Sequence, residues 1–290
     1  MSRRQILHRF QILGLFLLGA ATVVSMTGCR FGSGENSDGI AWDGETLTTQ
    51  REFPNPSSAQ LHEEGFPANL LPSPKRFLSL QAPGLKGDLK LLEFPGENEA
   101  YGAFQEMAGS SELAKGCISR GDRAFFRKGR WLGMLKRDTG NGEDRFKSKL
   151  RLPSDKDWGD LPNGFSSLLH QGRFPESERI LFQHFLGFPI THEVFAARFD
   201  CRGDSAWIYA SPSMDISFAF LVGKRQGYHL DSSESDKTII ASLDSKVPLK
   251  LDFFESGMVG VEGCFDDSLT NYWLQTQKKV LKSLKLGVSN

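Results

Sequence analysis

Leu89–Met107 reads LKLLEFPGENEAYGAFQEM, and the change of pattern along it decides the fold. Asp88–Phe94 predicts a strand. Pro95 and Gly96 then interrupt, and Glu97–Ala108 predicts a helix, because Ala100, Ala103, Phe104 and Met107 recur at helical spacing. A strand, Arg76–Leu80, precedes this unit. After it, Arg123–Phe126 and Trp131–Leu135 flank Arg127-Lys128-Gly129-Arg130, the layout of a hairpin with glycine in its turn. Gly140–Asp144 and Ser154–Asp160 read as loops. Asn163–His170 and Glu176–Phe185 read as short helices, the second opened by Pro175.

The second half follows the same logic. Glu193–Phe199 and Ala206–Ala210 predict strands joined by Arg202-Gly203-Asp204, and Ser211-Pro212 starts a helix running to about Gly223. Leu249–Glu255 and Met258–Gly263 form another hairpin. Asp266–Leu284 is an amphipathic helix with Asp266 and Asp267 at its start and Lys278, Lys279, Lys282 and Lys285 toward its end, as the helix dipole favours. Phe125-Phe126…Gly129…Trp131 aligns with Phe253-Phe254…Gly257…Val259, and each hairpin follows a strand–helix unit. The expectation is an α+β fold of mostly antiparallel sheets with packed helices, in two similar lobes from an internal duplication. Chance similarity of two hairpins is the competing explanation. The 23 phenylalanines, against four tyrosines and five tryptophans, favour cores of strands packed on helices.

The N-terminus carries an address. Arg3, Arg4 and Arg9 precede the apolar run Ile12–Ala21, and Met26-Thr27-Gly28-Cys29 follows. This is a secretory signal, and it resembles a lipoprotein signal peptide, in which diacylglycerol is attached to Cys29 and cleavage leaves that cysteine first. The competing reading is a membrane-spanning anchor, since Phe10–Cys29 approaches the ~20 residues a span needs. Gln11, Thr22, Ser25 and Thr27 weaken it. Arg30 after the cysteine resembles proteins sent to an outer membrane, if the host has two. Domain organisation follows: signal peptide 1–28, lipid-anchored flexible linker 29–58, first lobe 59–160, and second lobe with C-terminal helix 161–290. Residues 30–58 are rich in Gly, Ser, Asn, Asp, Glu and Thr, which predicts a flexible tether with an r.m.s. reach of ~30 Å.

Removing residues 1–28 takes three arginines and no acid, leaving 32 basic against 35 acidic side chains. That balance offers nothing to nucleic acid. Cys117, Cys201 and Cys264 remain besides Cys29, so one internal disulfide at most can form. Cys201 and Cys264 each close a predicted strand and are the expected pair; the alternative is three buried thiols. The absence of Cys-x-x-Cys argues against a zinc ribbon or a thioredoxin-type site.

Leu89–Met107, together with Pro175–Ser211 (PESERILFQHFLG…VFAARFDCRGDSAWIYAS), resembles a bacterial exported family of unknown function, domain of unknown function 6599. The resemblance spans about 66–284. It implies a secreted or lipid-anchored globular domain and brings no catalytic residues.

Signatures of chemistry are sparse. Gly164-Phe165-Ser166-Ser167-Leu168 begins like a nucleophile elbow but lacks the second glycine. His192-Glu193 and His62-Glu63 begin like zincin motifs, yet Ala196 and Phe66 stand where the second histidine belongs. Asp155, Asp157 and Asp160 lack the spacing of a calcium loop. Arg-Gly-Asp at 120–122 and again at 202–204 is good turn chemistry before it is an adhesion motif. Glu193 and Glu255 are candidates for a paired-carboxylate site, and Trp131, Trp207 and Trp273 for a ligand groove, with core packing the plainer role.

The resulting expectation is a membrane-anchored envelope lipoprotein with a non-enzymatic binding or assembly role and neither cofactor nor metal. Its partners would be the membrane, through Cys29, and an envelope protein or small ligand held in the crease between the lobes. The alternative is an envelope hydrolase whose groups, among them His184, His192 and Asp204, meet only in the fold.

Overall fold

In this computed structural model, residues 39–81, 85, 87–108, 110–113, 115–136, 143–214, 218, 228–232, 237–241, 247–254 and 257–287 are described. The segment 1–28 read as a signal peptide, Cys29, Glu255 and most of the helix expected after Pro212 lie outside them.

Strands are numbered in chain order. Ala41–Trp42 (β1) and Glu45–Thr46 (β2) form a small sheet with Leu150–Arg151 (β9). Thr48–Pro54 (β3), Arg76–Gln81 (β4), Leu89–Glu93 (β5), Cys117–Arg120 (β6), Arg123–Lys128 (β7) and Trp131–Lys136 (β8) build a six-stranded sheet in the order β3-β4-β5-β8-β7-β6. A seven-stranded sheet contains Arg179–Leu181 (β10), Val194–Cys201 (β13), Asp204–Ser211 (β14), Tyr228–Ser232 (β15), Lys237–Ala241 (β16), Leu249–Phe254 (β17) and Gly257–Glu262 (β18), ordered β10-β13-β14-β18-β17-β16-β15. A hairpin of His184–Phe185 (β11) and Phe188–Pro189 (β12) stands apart. All pairings are antiparallel, and with the helices they make an α+β fold.

The two large sheets trace one path. β5 is flanked by β4 and β8, which hairpins onto β7; β14 is flanked by β13 and β18, which hairpins onto β17. The aligned segments around Gly129 and Gly257 occupy these corresponding hairpins.

Among the described residues three apolar clusters form the core. One is continuous through both lobes, joining Phe77, Leu92 and Phe104 to Phe195, Phe199, Val259 and Leu281. The second covers the other face of the six-stranded sheet, where Leu91, Phe126 and Trp131 meet Ile40, Trp42, Leu47 and Phe146. The third covers the other face of the seven-stranded sheet, where Ala196, Leu251 and Phe253 meet Phe185, Met214 and Phe218. The expected crease between lobes is therefore packed with side chains.

Helix α2, Glu97–Met107, forms the seam. Ala100, Tyr101, Ala103 and Phe104 are buried, and Glu97 and Glu99 sit in its positive first turn. It packs on β7 and β8 and against β10. Gln105 brackets the edge of β10, its Nε2 donating to the Ile180 carbonyl (3.3 Å) and its Oε1 accepting from the Ile180 N–H (2.9 Å). Tyr101 donates to the Glu178 carbonyl at 3.2 Å, and Glu97 accepts from the Asn163 N–H at 2.6 Å. Gly102 lets the helix approach the second lobe, since a Cβ there would lie 2.1 Å from the Phe182 ring. Beneath the seam Arg127, 1 % exposed, stacks 5.0 Å over the Tyr101 ring and donates to the Asp160 carbonyl at 2.5 Å. Cys201 and Cys264 are joined in a disulfide, Cα atoms 5.7 Å apart, which ties the β13–β14 hairpin to the start of the C-terminal helix, Asp267–Gly287. Cys117 is a buried thiol on β6.

Four expectations need correction. The flexible segment 30–58 is ordered from Ile40 on, because Ile40 and Leu47 are 1 % and 0 % exposed and hold β1–β3 to the sheet; a few apolar residues suffice when each is wholly buried. The helix expected over Glu176–Phe185 is absent. Glu176 has φ 61°, which a helix cannot accommodate, and Arg179–Leu181 pairs with β13 instead. Conversely, Glu143–Lys149 is a helix where Gly140–Asp144 read as loop. Of Asn163–His170, only Asn163–Ser167 is helical, as a 3-10 turn.

Replacing Gln105 by Ala leaves the edge N–H and carbonyl of Ile180 without their side-chain partner at the buried seam. The expected cost is about 1–3 kcal/mol, read as a lower urea midpoint at unchanged slope in equilibrium unfolding.

Candidate functional site

A cleft of about 500 Å³ opens at one end of the six-stranded sheet, within the size range of ligand sites. Three chain ends build it. The first is helix α1, Ser58–Glu63. Ser57 caps its start in a reciprocal capping box with Gln60: the Ser57 hydroxyl accepts from the Gln60 N–H, and the Gln60 side chain accepts from the Ser57 N–H. Its end is a Schellman turn, with Gly65 N–H on the His62 carbonyl (3.0 Å) and Phe66 N–H on the Leu61 carbonyl (2.9 Å). Gly65 has φ +91°, a left-handed conformation that favours glycine, and the Arg123 guanidinium lies close over it. Buried Glu64 locks this turn to the sheet through Arg51 at 2.7 Å and Lys90 at 2.8 Å.

The second wall is the end of α2, with Glu106 and Met107. The third is the β6–β7 hairpin, with Ile118, Arg120, Arg123 and Phe125. Phe66, Ile118 and Phe125 are buried and make the floor; Phe66 meets Phe125 edge-on at 6.1 Å. His62, Glu63, Pro67, Arg120 and Arg123 are exposed at the rim. Arg123 Nη1 donates to the Gly65 carbonyl at 3.2 Å. Arg120 Nη2 donates to the Met107 carbonyl at 3.2 Å, at the negative end of α2, and reaches Glu112 at 3.4 Å. Each guanidinium is thus aimed by a backbone carbonyl and keeps further N–H groups for an anion.

The residues singled out in the sequence are dispersed. His192 precedes β13 and Asp204 opens β14 at the far end of the same eight-residue hairpin, some 20 Å or more away at ~3.4 Å per residue. His184 is exposed on β11. Glu193, half-buried, accepts from Asn98 Nδ2 at 2.7 Å; its intended partner Glu255 lies outside the described residues. Trp131, Trp207 and Trp273 belong to three different clusters and share no groove. Asp160 is used within its own loop, accepting from the Asp157 N–H at 2.8 Å. Both Arg-Gly-Asp triplets sit at hairpin turns, with Gly121 at φ 60° and Arg202 and Gly203 at 53° and 98°. Gly164 and Phe165 lie in the 3-10 turn, a Cβ at Gly164 falling 2.1 Å from the Phe195 ring. Among the described residues no three His, Cys, Asp or Glu form a group that could hold a metal, and no helix is long and apolar enough to cross a membrane.

Burial displaces several acidities. It pushes the Tyr101 and Tyr209 hydroxyls well up, the latter helped by its hydrogen bond to Glu262. It lowers Arg127 to about 10, and it raises Glu193, against the Asn98 hydrogen bond. The cleft itself was half visible in the sequence. His62-Glu63 begins a zincin motif it does not complete, and Arg120–Asp122 reads as an Arg-Gly-Asp turn. The signals that mark the site are Ser57-x-x-Gln60 as a capping box, Gly65 as the helix stop, and arginines on both sides of a Gly-Asp turn.

No family model matches the chain, and neither a curated protein nor a solved structure does.

A carboxyl whose folded pKa lies above its unfolded value binds protons on folding. Its contribution is therefore fully present below the unfolded pKa and is lost as pH rises through the folded one. Glu193→Gln should raise the melting temperature relative to the native chain near pH 7, and the gap should close as pH falls toward about 4.3. Parallel melts across that range check it.

Proposed function

We propose that this chain is a membrane-anchored envelope protein that works by binding, with the cleft bounded by α1, α2 and the β6–β7 hairpin as its ligand site. The observation that carries this reading is the cleft's construction. Two guanidiniums are held by backbone carbonyls over a buried aromatic floor, and the loop beneath them is pinned by buried Glu64, which pairs with the more exposed Arg51 and Lys90. Such preorganisation favours binding, because the site need not order itself when the ligand arrives. The lipobox ending at Cys29 supports membrane attachment, and the Cys201–Cys264 disulfide fits an oxidising compartment. Only residues 30–39 separate Cys29 from buried Ile40, so the fold stands within roughly 40 Å of its attachment point. Attachment at that range raises the effective concentration of the site toward other envelope components. The resemblance to an exported family supports the location and assigns no reaction.

The test uses the full chain in cells, with a photo-reactive side chain in place of Pro67 in the cleft or in place of exposed Glu45 on β2 as control. A discrete adduct is expected from position 67 alone and is lost in the Arg120→Glu, Arg123→Glu double variant, while Cys29→Ala moves the protein out of the membrane fraction. Equal adducts from both positions, or membrane partition unchanged without Cys29, would overturn the reading.

A further inference from the structure

β6 ends the six-stranded sheet, and among the described residues no strand pairs with its outer side. The register shows which groups face outward. Arg127 N–H donates to the Gly116 carbonyl at 2.8 Å, and Cys117↔Phe126, Ile118↔Phe125, Ser119↔Ala124 and Arg120↔Arg123 continue the ladder. In an antiparallel pair, bonded and non-bonded positions alternate. Positions 116, 118 and 120 therefore bond to β7, and the N–H and carbonyl of Ser119 point away from it, along the sheet edge. The side chains on either side of Ser119, those of Ile118 and Arg120, line the cleft. The outward backbone groups of Ser119 thus lie beside the apolar floor and the cations.

Charge says what this edge prefers. Arg120 and Arg123 are direct cross-strand partners, and like charges in that relation repel. Glu112 already sets a carboxylate against Arg120, but at 3.4 Å and half-exposed, and Asp122 lies 3.9 Å from Arg123. A ligand carboxylate would relieve the pair better than either. The cleft is open to solvent and its lining mixes charged rim with apolar floor, which suits a chain that inserts single side chains rather than a long acyl tail.

We propose, resting on the cleft as the binding site, that its ligand is an extended peptide segment added antiparallel to β6, bearing an acidic residue, any residue, then an apolar residue. The middle residue would exchange hydrogen bonds with Ser119. Its neighbours fall on the same face, as strand period 2 requires. The acid meets Arg120 with Arg123 one strand behind, and the apolar side chain lies beside Ile118, with Phe125 and Phe66 behind. The antiparallel direction sets the order, because the peptide passes Arg120 before Ile118.

The experiment is fluorescence polarisation with the mature chain bearing Cys29→Ser and labelled nine-residue peptides with Gly-Ser flanks around Asp-Thr-Leu, Lys-Thr-Leu or Leu-Thr-Asp. Asp-Thr-Leu is expected to bind at least about 10-fold tighter than either other peptide. Ser119→Pro removes an outward N–H without touching the β7 ladder, so it should abolish that advantage at unchanged circular dichroism. The Arg120→Glu, Arg123→Glu variant should turn the preference toward Lys-Thr-Leu and keeps the test decisive should the proline variant misfold. Equal binding of the three peptides, or full binding by a folded Ser119→Pro, overturns strand addition. If peptides fail while position 67 still captures a ligand in cells, the peptide class falls and the cleft stands; failure of both removes the cleft as well.

Discussion

The fold depends on one helix having to satisfy two sheets at once. Glu97, Tyr101 and Gln105 stand at i, i+4 and i+8, one stripe of α2, and all three hydrogen-bond to the second lobe. Ala100, Ala103 and Phe104 supply the apolar contact. The neutral hydrogen bonds of Tyr101 and Gln105 are worth only ~0.5–1.5 kcal/mol net each, and the one to the Glu97 carboxylate is exposed to solvent, so the stripe does not hold the lobes together by strength. It fixes their register, because a slip of one turn would break all three bonds at once, the buried Tyr101 bond among them. The apolar core that runs through both lobes supplies the bulk of the cohesion, being non-directional and roughly proportional to buried area. Arg127 illustrates the constraint. Burial is costly enough to lower its pKa to about 10, and the compensation comes from the Tyr101 ring above it and the Asp160 carbonyl.

The same helix delivers the site. Its N-terminal turn is tied to Asn163 and its middle to β10, so the position of Met107 at its C-terminus is set by contacts with the other lobe. Arg120 is aimed by the Met107 carbonyl. A change in how the lobes pack therefore reaches the cleft through about seven residues of rigid helix. α1 has the opposite design. It is too short to be stable alone, and it stands because its cap, its Schellman turn and Glu64 satisfy both ends.

Local pattern carried much of the architecture. The strand–helix unit at Leu89–Met107, both Phe-Phe hairpins and the C-terminal helix are legible, because their apolar period agrees with the faces they bury. The correspondence of the two sheets follows from those hairpins. Segments whose structure comes from distant contacts were illegible. Residues 40–54 look like linker until Ile40, Trp42 and Leu47 find the outer face of the first sheet. Arg179–Leu181 looks helical until β13 pairs with it and Gln105 covers its free edge. The cleft belongs to this second kind. Its residues come from positions 62–67, 106–107 and 118–125, and no window short enough to show a period contains all three.

Sheet edges complete the argument for where a ligand chain can enter. Exposed edges invite unwanted pairing, and proteins guard them. The β10 edge is closed by the amide of Gln105, which does for Ile180 what another strand would do. The β3 edge is interrupted by a register shift between Thr49 and Arg51 and ends at Pro54, and Arg51 and Glu52 add charge to it. β6 is short, four residues, and the outward backbone of Ser119 lies beside a groove with an apolar floor. Chance pairing with a four-residue edge is weak, because few hydrogen bonds offset the entropy of ordering the incoming chain. Pairing becomes favourable for a chain whose side chains also fill the groove and neutralise the arginines. Brevity and an adjoining charged pocket together would give an edge that discriminates between chains by the side chains they bring.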